Sequence, residues 1–290
     1  MLRVAIPNKG RLADQTLTLF EKAGLKADSR ADRALVANLG SEFRAIFVRA
    51  QDITEFVADG AADLGVTGAD LVAESGRSTR EVTELLDLGY GRCRLAVAVR
   101  EESSVQTPDM LGAGSRVATS FPRMTEEYFQ SLGVQVQVAP VSGAAEIAPH
   151  LGVAEVIVDL VSTGSTLKVN GLREIATILK STARLIANPV AVGDPEKGRR
   201  IGELVTALQS VILARSKRYL MANVPKDRLP EVKEIIPGLS GPTIVEIRNG
   251  NGWVAAHAVV EAEKIYQTII RLKAVGAEGI LVTPIERLMP

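Results

Sequence analysis

Short apolar runs alternate along this chain with stretches whose apolar positions recur every three or four residues, and the two patterns predict different elements. Residues 3–6 read as a strand. A helix follows, with Leu12, Thr16, Leu19, Phe20 and Ala23 on one face and Gly24 at its end. Residues 33–39 and 42–48 predict two strands separated by Gly40-Ser41. Asp52, with Glu55 three residues on, predicts a capped short helix closed by Gly60. Residues 64–67 form an apolar strand running into Gly68-Ala69-Asp70, where a further helix begins. Residues 85–100 are strand-rich, interrupted at Gly89-Tyr90-Gly91, and 117–120 is another strand. Pro122 opens a helix carrying Met124, Tyr128, Phe129 and Leu132. Val134, Val136 and Val138 alternate with glutamines, as in a half-buried strand. Residues 144–151 look helical, and 155–161 is an almost continuous apolar strand. Strands alternating with helices predict a mainly parallel α/β architecture.

A second region follows the helix opened by Asp194-Pro195, whose stripe is Ile201, Leu204, Val205, Leu208 and Val211. Strand 219–224, helix 229–236, strand 243–247, strand 253–260, helix 262–275 and strand 279–283 give the order β-α-β-β-α-β, the ferredoxin-like pattern.

Composition narrows the class. With 34 basic against 34 acidic residues the formal charge is zero, which argues against a chain-wide nucleic-acid or membrane footprint. A lone Cys93 excludes an intrachain disulfide and fits a reducing compartment. The first ten residues lack the apolar core of a signal peptide, and no apolar run reaches the ~18 residues of a membrane span. The expectation is a cytoplasmic protein. Two histidines, His150 and His257, make a histidine-rich zinc site implausible. Cys93 reads as a buried small hydrophobe, and His257 as a packed or interface residue.

The stretch richest in chemistry runs from the apolar strand through Asp159, Leu160, Val161, Ser162, Thr163, Gly164, Ser165 and Thr166. Small hydroxyl residues around a glycine can turn several N–H and O–H groups toward one phosphate, and Gly164 lets the backbone approach closely. Asp159 ends its strand where open α/β sheets place ligands, and suits ribose hydroxyls or a magnesium ion. A Ser/Thr-rich turn capping the next element has the same composition. The Gly-Lys-Ser/Thr ending of a Walker loop and the G-x-G-x-x-G dinucleotide fingerprint are both missing.

Thr163-Gly164-Ser165-Thr166 after an apolar strand and an aspartate resembles the phosphoribosyl-pyrophosphate loop of phosphoribosyltransferases, although Leu160 stands where two adjacent acids are usual. The form D-L-V-S-T-G-x-T-L, with Asn170-Gly171-Leu172 close behind, resembles the ATP phosphoribosyltransferase family, which opens histidine biosynthesis. Pro7-Asn8-Lys9-Gly10-Arg11-Leu12, Arg49 with Asp52-Ile53, Asp63-Leu64-Gly65 with Gly68, and Ala118-Thr119-Ser120-Phe121-Pro122 agree with it. So do Ser142-Gly143 with Glu146, and Pro284-Ile285-Glu286.

The resemblance implies the family's long form. Its fold is two periplasmic-binding-protein-like α/β lobes with a C-terminal ferredoxin-like, ACT-like regulatory domain. The implied boundaries are 1–91 with 184–214 for lobe I, 92–183 for lobe II and 216–290 for the regulatory domain. The implied reaction is a glycosyl transfer. The phosphoribosyl group of phosphoribosyl pyrophosphate passes to N1 of ATP and pyrophosphate leaves, with Mg²⁺ held through substrate phosphates. Residues 159–166 would bind phosphoribosyl pyrophosphate. Lys9, Arg11, Arg49 and Asp70 would bind ATP, with Glu146 a further substrate contact. No residue is assigned as general acid or base, because N1 attacks with a free lone pair. The implied regulation is allosteric feedback by L-histidine at Asn223, Leu239, Thr243, Val259 and Gly279, in a homo-oligomer between dimer and hexamer. From the residues alone, Lys9 and Arg11 equally fit a solvated loop, Arg49 a strand flank, Asp70 an N-cap, Glu146 a surface helix, and Leu239 and Val259 a core. The alternative class is a soluble two-lobed small-molecule or nucleotide-binding regulatory protein without catalysis.

Overall fold

The computed structural model describes residues 1–28, 35–248 and 250–289. The chain folds as two compact units: Met1–Thr18 with Lys26–Ile201, and Leu19–Leu25 with Gly202–Pro290.

The first unit holds two sheets. Strands β1 (Leu2–Pro7), β2 (Val36–Leu39), β3 (Phe43–Val48), β4 (Leu64–Gly68) and β5 (Thr83–Asp87) join one, and β6 (Cys93–Arg100), β7 (Ser115–Thr119), β8 (Val136–Pro140), β9 (Val156–Val161) and β10 (Leu172–Ser181) make the other. After β10 the chain returns to the first sheet as β11 (Ala183–Ala187), giving the order β2-β3-β1-β4-β11-β5. The second sheet is ordered β10-β6-β9-β7-β8. The helices, in chain order, are α1 (Gly10–Lys22), α2 (Ile53–Ala58), α3 (Ala69–Ser75), α4 (Pro122–Ser131), α5 (Ser165–Val169), α6 (Pro189–Gly193) and α7 (Pro195–Arg215), of which α1 and α7 are shared with the second unit.

Each sheet is buried where its strands read as continuous apolar runs. β4 is buried at every position, and β9 through Val156, Ile157 and Val158. Ile53, Val57, Val82 and Ile186 pack with Ala5 on the first sheet, and Phe121, Phe129, Val117 and Val158 pack with Leu95 on the second. The two α/β lobes of the expected fold are therefore present, though the sheets are mixed rather than mainly parallel. β1 runs parallel to β3 and β4, and β7 parallel to β8 and β9, while β2, β6, β10 and β11 pair antiparallel. Antiparallel neighbours need no crossover helix, as in the hairpin of β2 and β3 through Gly40-Ser41.

Three local expectations fail. Residues 144–151 form only the 3₁₀ turn Ala145–Ile147: Ala144 is left-handed (φ 48°), and Pro149 has no N–H to close an α-helical bond to Ala145. Asp52 makes no side-chain cap to α2, and Glu55 instead pairs with Arg77. α5, β10, β11 and α6 form where the hydrophobic pattern assigned no element. Residues 33 and 34 of the expected second strand lie outside the described residues.

In the second unit, strands β12 (Lys217–Pro225), β13 (Thr243–Glu246), β14 (Trp253–Glu261) and β15 (Glu278–Pro284) form one antiparallel sheet in the order β13-β14-β12-β15. Helices α8 (Leu229–Ile235) and α9 (Ile265–Ala274) supply Val232 and Leu272 to its core, beside Leu220, Val224 and Val254. β14 alternates half-buried and buried along its whole length, the signature of a sheet with one packed face. This is the β-α-β-β-α-β module read from the sequence.

Candidate active site

The cleft of the first unit begins at the end of β4. Gly68 turns the chain into α3, and the ideal position of a Cβ there lies 2.2 Å from Asp70 Oδ1, so only glycine leaves room for that carboxylate. Asp70 is 4% exposed. Its backbone N–H donates to Ser181 Oγ at 3.1 Å, and the Ser181 hydroxyl donates back to the Asp70 carboxylate. Burial pushes the Asp70 carboxyl above the usual range, partly opposed by that hydroxyl.

Asp70 opens onto a cavity of about 550 Å³. Lys9 from the loop after β1 and Arg49 from the end of β3 share it, and so do Ser120, Phe121 and Asp159 from the second sheet. The Asp159 carboxylate accepts the Leu160 N–H at 2.7 Å. Burial raises its pKa and the negative charge of Glu146 raises it further, against the backbone hydrogen bond. Two basic side chains thus share one space with two carboxylates that are poorly solvated.

Past Asp159 the chain splits its roles. Val161 is 5% exposed and belongs to the core, so only its backbone is available to a ligand. Ser162, Thr163, Ser165 and Thr166 are exposed, and Leu167 anchors α5 in the core. Gly164 is left-handed (φ 81°), which lets the loop reverse into α5. Thr163 Oγ1 lies 2.9 Å from Ser165 Oγ and 3.4 Å from the Ser165 nitrogen, an internal tie that aligns the hydroxyls. Beneath the loop, Arg94 Nη1 donates to the Ser162 carbonyl at 3.3 Å. Its other nitrogens grip Glu174 on β10 at 2.6–3.0 Å. Asp87, Arg92, Arg94, Lys180 and Arg184 surround a second cavity of about 470 Å³ that reaches Ser162.

Of the residues anticipated from the sequence, Lys9, Arg49, Asp70, Asp159 and Leu160 line the one cavity. Glu146 is half-buried on its 3₁₀ turn and faces Asp159 electrostatically rather than lying on a surface helix. The Arg11 side chain lies outside the described residues. Cys93 is only half-buried and borders the cavity, so it is not a core hydrophobe. Ser181, Arg94 and Glu174 were missed. Their partners lie 111, 68 and 80 residues away, and no local spacing encodes that.

In the second unit the five anticipated inhibitor contacts lie on β12, β13, β14, β15 and the turn after α8. Leu239 and Val259 border a cavity of about 370 Å³ with Lys217, Glu261 and Arg271. Leu239 is 53% exposed, against a core role. Asn223 and Gly279 adjoin on β12 and β15: a Cβ on Gly279 would lie 3.3 Å from Asn223 Nδ2. Thr243 starts β13 opposite His257, whose Nδ1 lies 3.0 Å from the Tyr219 hydroxyl.

Comparison with known proteins fits this geometry. The family model described as ATP phosphoribosyltransferase matches residues 49–210, and that described as HisG, C-terminal domain, matches 214–287. The ATP phosphoribosyltransferase of Gemmatimonas aurantiaca is 59% identical, with both chains fully covered. That of Methanocaldococcus jannaschii is 45% identical, again over the whole of both. Among solved structures, the ATP phosphoribosyl transferase (HisG:HisZ) complex from Thermotoga maritima superposes with a TM-score of 0.65 at 28% identity. It covers 73% of this chain and 99% of that one. Fold and relatives together define the class as a pentosyltransferase. The chain belongs to the ATP phosphoribosyltransferase family of histidine biosynthesis, in the long form that carries the C-terminal domain.

Proposed function

We propose that this chain transfers the phosphoribosyl group of phosphoribosyl pyrophosphate to N1 of ATP and is inhibited by L-histidine. The observation that carries the reading is the shared cavity, with Lys9, Arg49 and Asp70 from one sheet and Asp159 from the other. The lone pair of adenine N1 forms the new bond to C1 as the C1–oxygen bond breaks, and its electron pair leaves with pyrophosphate. N1 carries no proton, so no general base is needed, and positioning with charge stabilisation supplies the catalysis. Lys9 and Arg49, with Arg11, offset phosphate charge. Asp70 accepts hydroxyls of the adenosine ribose. Asp159 and the loop 159–166 hold the phosphoribosyl group, with Glu146 beside it.

Among the described residues no three His, Cys, Asp or Glu side chains gather as a metal site. Asp159 with Glu146 nearby still offers the one or two carboxylates with which Mg²⁺ sits when substrate phosphates complete its shell. Bound so, Mg²⁺ supplies charge neutralisation of the leaving pyrophosphate.

The same reading makes residues 1–91 with 184–214 one catalytic lobe, 92–183 the other and 216–290 the histidine-binding domain, in a cytoplasmic homo-oligomer. Strand pairing supports the lobes: β11 joins the first sheet and β6–β10 the second. For localisation, no helix among the described residues is long and apolar enough to cross a membrane.

The test is purified protein with ATP, phosphoribosyl pyrophosphate, Mg²⁺ and pyrophosphatase, with and without L-histidine, following the N1-phosphoribosyl product by absorbance. Product that histidine suppresses is expected. Thr163→Ala and Gly164→Ala should raise KM for phosphoribosyl pyrophosphate with the fold intact, and unchanged constants in both would remove the loop from the site.

A further inference from the structure

Helix α4 begins with a deficit that its own sequence cannot fill. Its N-cap is Phe121, which has no side-chain oxygen to accept from the first turn, and Pro122 follows as the first helical residue. The N–H groups of Arg123 and Met124 nevertheless each have an acceptor. Both donate to Glu74 of α3, Arg123 to Oε1 and Met124 to Oε2, each at 2.9 Å. A negative charge on a helix N-terminus is also the favoured arrangement of charge and dipole.

The contact is returned. Arg123 Nη1 donates to the Ala73 carbonyl at 3.1 Å, on the last turn of α3, and its Nη2 pairs with Glu127 at 2.8 Å. Gly76, left-handed at φ 69°, ends α3 and leaves the space this guanidinium occupies: a Cβ there would stand 2.1 Å from Nη1. One turn earlier Leu71 packs against the core of the second sheet, as Met124 does from α4. Helix α3 grows from β4 of the first sheet, whereas α4 follows β7 of the second. Asp70, in the first turn of α3, and Ser120-Phe121, just before α4, both line the substrate cavity.

We propose that Glu74 is a positioning residue for the transfer reaction. By capping α4 from α3 it sets the spacing of the two cavity walls, so that the groups of one sheet face those of the other in the binding-competent arrangement. This rests on the reading of the cleft as the substrate site. Glu74 touches no substrate. It acts through α3 and α4.

The experiment compares steady-state constants and amide exchange in the full-length enzyme for wild type, Glu74→Ala and Glu74→Gln. Glu74→Ala should raise KM for both substrates about tenfold, the factor equivalent to one helix cap of ~1.4 kcal/mol, while kcat at saturation stays within about twofold. Glu74→Gln keeps the volume and one acceptor oxygen, so a rise of about threefold is expected, and it carries the test if the alanine variant fails to fold. The Arg123 and Met124 amides should lose exchange protection without substrates and regain it when both are bound. Unchanged KM with protection lost would reduce Glu74 to a local cap. Unchanged KM with protection kept would remove the contact itself, and a fall in kcat alone would make the role catalytic; each overturns the proposal. Lys9→Ala separates the underlying reading: if it leaves KM for ATP unchanged, the cleft assignment fails whatever Glu74 does.

Discussion

Gly68→Ala isolates one steric link between fold and site. The backbone at Gly68 is ordinary (φ −78°), so alanine meets no conformational penalty and the requirement is for space alone. The added Cβ falls 2.2 Å from Asp70 Oδ1 and 3.0 Å from its Cγ, with the nearer atom about 1 Å or more inside van der Waals contact. The carboxylate has to rotate away, and in doing so it abandons the Ser181 hydroxyl, which belongs to a residue only 3% exposed. Overpacking of this kind costs about 1–3 kcal/mol, and a buried hydroxyl left without its partner about 1–3 kcal/mol. Since rotation relieves part of the first at the expense of the second, the expected loss is about 2–3 kcal/mol. The displaced carboxylate should also weaken ATP, raising KM by about ten- to a hundredfold if it gives up a charged hydrogen bond to ribose. Urea unfolding and ATP kinetics measure both. The decisive comparison is the same substitution in an Asp70→Ala background, where the clash partner is gone and the stability cost should shrink by about 1–2 kcal/mol. An equal cost in both backgrounds would refute the steric account.

Three other outcomes follow from single side chains. Asp159→Asn should stabilise the protein at neutral pH while weakening phosphoribosyl pyrophosphate. The folded-state pKa of Asp159 is raised, so its ionisation costs stability, and the gain of the variant should grow with pH above the usual carboxylate value and vanish in acid. A gain independent of pH, followed by urea unfolding, would contradict this. Asp63 behaves in the opposite sense. Burial alone would raise its pKa, but Lys197 Nζ at 2.7 Å and the Arg3 N–H at 2.8 Å outweigh burial and lower it. Its contribution should be present at neutral pH and lost as pH falls through a value below the ordinary carboxylate range, so Asp63→Asn should flatten the acid limb of the stability profile. Arg94→Ala should remove the guanidinium from the Ser162 carbonyl and from Glu174, which keeps only the Thr177 hydroxyl, and raise KM for phosphoribosyl pyrophosphate about tenfold, with KM for ATP little changed. An equal rise for both substrates would place Arg94 outside the loop's support.

What the sequence made legible was what repeats locally. The C-terminal module could be read nearly element by element, because β14 alternates cleanly and its turns carry glycine. β9 and the glycine of the loop after it were readable for the same reason: a buried apolar run and a left-handed position each have a residue signature. β10 was not. Its burial pattern is irregular, and two register shifts against β6 break the alternation by which a strand is recognised. The helix expected over 144–151 had apolar spacing but holds Pro149, whose missing N–H interrupts the helical ladder. Asp52 and Glu55 had the form of a capping box, yet Arg77 outcompeted the backbone for Glu55. Site residues taken from motifs, Lys9, Arg49, Asp70 and Asp159, fell into one cavity. Those that hold them in place were invisible, since each acts across a sheet.

The supporting residues converge on one pair of strands. β6 and β10 pair antiparallel, with Cys93 opposite Ser181 and Arg94 opposite Lys180. Ser181, the last residue of β10, fixes Asp70 of the first sheet, and Arg94 with Glu174 fixes the start of the phosphate loop on the second. Asp70, proposed to meet ATP, and the loop proposed to meet phosphoribosyl pyrophosphate therefore hang on the same two strands. Any bend of that ribbon moves both sets together. Glu74 ties α3 to the start of α4. The ribbon supports each set of groups separately, whereas the Glu74 contact joins an element of one sheet to an element of the other. Loss of that contact should then weaken both substrates, whereas loss of Arg94 should weaken one, so the two KM patterns measured side by side separate wall spacing from loop support.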